Sequence, residues 1–93
     1  MEKQFVAAWL ASREKAGELG IRLRPMAAAD ALKLACRCLD SHRCSEGFDA
    51  LAAQGHLELS LEALAVDKRF TGLFTDTQAN NALSRLLDAG YSR

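Results

Sequence analysis

Valine and isoleucine are nearly missing from this chain: Val6, Ile21 and Val66 are all there is in 93 residues. Without those stiff β-favouring side chains a sheet has little to build on, and the alanine and leucine that dominate instead favour helix. Proline occurs once, at Pro25. Its ring biases Arg24 to an extended backbone and itself suits the first turn of a helix. Long apolar runs are absent: Phe5 to Ala11 is the longest, well short of the ~20 residues needed to cross a bilayer and too short for a signal-peptide core. Net charge is zero. Residues 1–46 carry eight Lys/Arg against six Asp/Glu, and residues 47–93 carry four against six, a weak dipole only. A chain that lived on phosphate contacts would need a clearer basic excess, because each neutralised phosphate requires a cation. The three cysteines are an odd number in a chain that is 49% hydrophobic, which argues against a disulfide framework and for a reducing compartment. The expected location is cytoplasmic.

What is present is helical periodicity. Phe5, Val6, Trp9 and Leu10 recur at helical spacing and predict an amphipathic first helix over residues 3 to about 17, ended by Gly17 and Gly20. Ile21 to Arg24 reads as a linker. A second helix is expected over Met26 to Leu39, with Leu32, Ala35, Cys36 and Leu39 on one stripe and Leu34 and Cys38 on another. Two apolar stripes place it centrally. Ser45 is the expected N-cap of a short third helix presenting Phe48 and Leu51 and stopping at Gly55.

The stretch 57–59 is read as extended linker, with Ser60 capping a fourth helix over Leu61 to Val66. Phe70, Leu73 and Phe74 surround Gly72 and predict a compact apolar turn. Thr75 with Gln78 three residues on has the form of a capping box. It opens a fifth helix whose apolar face is Ala79, Ala82, Leu83, Leu86 and Leu87. Gly90 fits the left-handed position after that helix, which would return Tyr91 to Leu86. No internal repeat and no long linker is visible. The expectation is one all-α domain over residues 1–93, an irregular (orthogonal) bundle of four to five short helices.

Four groupings bear on function. Cys36, Cys38, His42 and Cys44 put three sulfurs and an imidazole within nine residues, a Cys₃His set on paper. If residues 36–39 are helical, however, Cys36 and Cys38 point roughly 200° apart and do not share an ion easily. The same residues could serve thiol redox chemistry, with Arg37, His42 and Arg43 favouring thiolate at Cys38 or Cys44. No resolving pair is marked, and the plainer reading is of core and incidental thiols. Residues 45–54, Gly55 and residues 60–67 have the order of a helix-turn-helix. Leu51 stands where a small residue is usual, though, and Glu62 and Asp67 would repel phosphate. Lys33 and Arg37 share a helix face that, with Arg22, Arg24 and Arg43, could meet an acidic partner, yet a solvated face compensated locally by Asp30 and Asp40 is the better explanation.

The fourth grouping, Lys68, Arg69, Phe70 and Phe74, could form a partner-binding surface, although a small domain needs both rings to close its core. No phosphate loop, hydrolase motif or nucleophile–base pair is visible, so neither catalysis nor a cofactor is expected. By this reading the chain is a small interaction or regulatory module whose partner is another protein or a second copy of itself. Nucleic acid, membrane and small-molecule substrates are not expected, and the alternatives are a helix-turn-helix DNA-binding protein and a Cys/His zinc or thiol-redox protein.

Overall fold

The computed structural model describes residues 2–23, 27–41 and 45–91. Five α-helices and no strand occur among them: α1 (Glu2–Glu18), α2 (Ala31–Asp40), α3 (Phe48–Ala53), α4 (Leu61–Ala65) and α5 (Asp76–Asp88). Short 3-10 turns at Ala28–Asp30, Leu57–Leu59 and Lys68–Leu73 join them. At 1.5 Å per residue α1 is about 25 Å long and α4 under about 10 Å. Helices so unequal form an irregular all-α bundle, measuring 30 × 28 × 22 Å.

The long helix supplies the aromatic centre. Phe5 is fully buried and Trp9 nearly so. The Phe5 ring lies 5.7 Å from Trp9, 5.5 Å from Phe70 and 5.3 Å from Phe74, the latter two edge-on. Phe70 and Phe74 thus belong to the interior. The turn that carries Phe70 and leads into Phe74 is capped by Asp67, whose side chain accepts from the Arg69 backbone N–H at 2.9 Å.

Helix α2 presents Ala31, Ala35 and Leu39, spaced by four, as its fully buried row. It starts later than the sequence pattern suggests. Ala27 is extended, and a 3-10 turn over Ala28–Asp30 leads into it. Neither Ala27 nor Asp30 makes a side-chain cap hydrogen bond, so no cap at these positions favours α over the tighter 3-10 geometry. Pro25 and Met26 lie outside the described residues.

The cap of α3 also differs from expectation. Gly47, not Ser45, occupies that position, at φ 80°. A methyl group there would fall 2.8 Å from a Leu23 methyl carbon and 3.2 Å from Ile21, so both the backbone angle and the packing require glycine. Ser45 is drawn elsewhere, to Glu62. Residues 57–59 are a 3-10 turn instead of an extended linker, closed by Ser60 N–H donating to Leu57 O at 3.0 Å. Ser60 then caps α4 as its sequence position predicts, its hydroxyl accepting from Ala63 N–H at 3.1 Å. Four of the five residues of α4 are buried, which makes this the most interior helix.

At α5 the capping box forms in full: Gln78 N–H donates to Thr75 Oγ1 at 3.1 Å, and Thr75 N–H donates to Gln78 Oε1 at 3.0 Å. The helix ends as expected at Gly90, φ 85°, with Tyr91 N–H donating to Leu86 O at 2.9 Å and the Tyr91 ring packed near Leu86. Its buried row, however, is Gln78, Ala82 and Leu86, while Leu83 is half-buried and Leu87 is 62% exposed. Leu86 is fully buried beside Phe48 and Leu57. Leu86→Ala is therefore expected to cost about 2–5 kcal/mol in chemical denaturation, and Leu87→Ala little.

No helix of the described residues is long and apolar enough to cross a membrane.

Candidate functional site

Two features stand out on this scaffold, a buried charge cluster and an apolar cleft. The cluster is built where α5 crosses the end of α2. The last carbonyls of any helix lack partners within it and must find donors. Here α5 provides them: Asn81 Nδ2 donates to Leu39 O at 2.9 Å, and Arg85 Nη2 reaches the carbonyls of Cys38, Leu39 and Ser41 at 3.3, 3.4 and 2.5 Å. One helical turn earlier, Gln78 Nε2 donates to the Asp40 carboxylate at 3.2 and 3.3 Å. Gln78, Asn81 and Arg85 are spaced by three and four, so they share one face of α5. Turning that face inward turns Leu87 out.

Arg85 also meets Glu62 of α4, Nη1 to Oε2 at 3.2 Å, with the two side chains 11% and 0% exposed. A carboxylate without water needs donors for both oxygens. Ser45 completes the set, donating its backbone N–H to Glu62 Oε2 at 2.9 Å and its hydroxyl to Oε1 at 2.5 Å. Among the described residues no buried side-chain polar atom lacks a partner. The cluster therefore has its groups committed to each other and to the backbone. It is a clamp between α2, α4 and α5.

The cleft adjoins the cluster, and Ser45 belongs to both. It has a volume of about 280 Å³ and is bounded by α1, α2, α3 and the turn before α4. Trp9, Leu34, Leu51, Leu59 and Leu61 form most of its apolar wall, with Cys38 among them. Arg13 and Glu46 bring charge to it, and the Arg13 guanidinium lies 5.9 Å from the Trp9 ring centroid. Leu34 is 39% exposed at the cleft. The volume falls at or just below the ~300–1,000 Å³ of typical ligand pockets.

The residues singled out by sequence are distributed differently. Lys68 and Arg69 are exposed, but Phe70 and Phe74 are buried, so the four do not form an aromatic docking surface. Both rings pack edge-on against Phe5, which also meets Trp9. Arg69 turns back on its own neighbourhood, donating to both Asp67 carboxylate oxygens at 3.1 and 3.2 Å and lying 4.9 Å over the Phe70 ring.

Cys36 and Cys38 lie on either side of the buried Ala35–Leu39 row, both half-buried against the main core. Burial first and the Asp40 carboxylate second push the Cys36 thiol up, against a lowering hydrogen bond from Gln78. That is the reverse of the activation a reactive thiol requires. His42 and Cys44 lie outside the described residues, as do Arg24 and Arg43; Arg22, Lys33 and Arg37 are exposed. Among the described residues no group of three His, Cys, Asp or Glu could hold a metal. The helix-turn-helix order is also altered: α3 and α4 are six and five residues long, a 3-10 turn separates them, and Leu51 is buried. With Glu62 and its neighbours interior, α4 has little free face to lay in a groove.

No family model, curated protein or solved structure matches this chain.

A smaller electrostatic feature sits on the surface near α3. His56 Nδ1 lies 3.0 Å from Glu58 Oε1, and since a carboxylate only accepts, the Nδ1–H is the donor. This hydrogen bond holds the Glu58 carboxyl below its ordinary range, partly offset by desolvation. A depressed carboxyl contributes stability above its unfolded value, and that contribution is lost as pH falls through the folded one. Both groups are about half exposed, so solvent screening limits the contribution to under about 1 kcal/mol. In a titration followed by carboxyl NMR shifts, His56→Ala is expected to move the Glu58 midpoint upward. An unmoved midpoint would show that the hydrogen bond is absent in solution.

Proposed function

We propose that this chain is a non-catalytic interaction module that receives an apolar side chain of a partner protein in the cleft beside Trp9. The observation that carries this reading is Leu34, held half-open at a cleft walled by Leu51, Leu59 and Leu61. A partner that covered Leu34 would remove its apolar surface, and that of the cleft beside it, from water. Anchor residues in protein interfaces commonly fill such pockets, with charged groups such as Arg13 and Glu46 at the side to set orientation. The clamp at Glu62 and Arg85 supports the same reading indirectly. Its buried side-chain polar atoms are paired with one another and with backbone, which holds α2, α4 and α5 in place around the cleft.

The test compares capture of native partners by three forms of the protein. Wild type and Leu87→Glu, whose change lies on the outer side of α5, are expected to retain the same partner. Leu34→Glu is expected to lose it by tenfold or more, because a carboxylate would have to be desolvated on docking. Retention by Leu34→Glu, or equal loss in both variants, would remove the cleft from consideration. The single tryptophan offers a second readout, since Trp9 lines the cleft and its emission should shift when the partner is added.

A further inference from the structure

We draw no further inference here: the strongest candidate, the apolar cleft bounded by α1, α2, α3 and the turn before α4, belongs to the site already described, and nothing in the structure shows what covers it in finer chemical terms.

Discussion

Replacing Arg85 with alanine is expected to destabilise the protein by about 3–5 kcal/mol, read as a large fall in the urea midpoint. The main cause is what the change leaves behind. Glu62 is fully buried, and Arg85 is the cation that its carboxylate meets inside the fold. Ser45 would still donate twice, but two neutral donors do not offset the loss of a buried counter-charge. The carbonyls of Cys38, Leu39 and Ser41 would lose a donor at the same time, although Asn81 continues to serve Leu39.

Changing the charge of the stranded partner separates these effects. In an Arg85→Ala background, Glu62→Gln should return part of the stability, since an amide is cheaper to bury than an unpaired carboxylate. Arg85→Lys should fall between, because a single ammonium cannot span the carboxylate and three carbonyls as a planar guanidinium does. A loss under about 1 kcal/mol for Arg85→Ala would mean that the pair is not desolvated in solution.

Phe5→Ala is expected to have an effect of similar size, about 3–5 kcal/mol, for a different reason. Phe5 has no exposed surface, and three aromatic rings lie within 5.7 Å of it, centroid to centroid. Removing it takes away its own burial, leaves a cavity that α1 cannot collapse into, and ends two edge-on contacts worth about 0.5–1.5 kcal/mol each. Folded domains of this kind are stable by about 5–15 kcal/mol in total, so this variant should be close to unfolding at moderate temperature. Phe5→Leu should recover much of the loss by filling most of the space, without the ring geometry. The measurement is again chemical denaturation, with Trp9 emission as the probe. An Ala variant as stable as wild type would place the aromatic cluster outside the true core.

The elements that could be read from sequence share one property, that their signals are local. Thr75 and Gln78 are three residues apart and form the capping box they spell. Gly90 and Tyr91 end α5 through a hydrogen bond back to Leu86, five residues upstream. Ser60 caps α4 through Ala63.

The misreadings also share a property. Ser45 looks like a cap because its type and position suit one, but its partner is Glu62, a residue whose pairing no local pattern marks. Glu62 itself looks like a surface acid on a short helix. Its burial depends on Arg85 arriving from α5. Leu87 fits an apolar stripe by spacing, yet the need of α2 for donors at its C-terminus rotates α5 toward Gln78, Asn81 and Arg85 and leaves Leu87 in water. The cleft followed the same rule. Trp9, Leu34 and Leu59 were each legible as apolar, but their meeting at one wall was not.

By itself, then, the order of residues determined that this chain is helical and where most helices begin and end, because alanine and leucine periodicity, caps and glycine stops act over a single turn. Only the tertiary structure decided which face of each helix is inside, which charges pair out of water and where an apolar hollow remains. Those outcomes depend on balancing unsatisfied carbonyls and buried charge between segments distant in sequence, and that balance exists only once the helices have met.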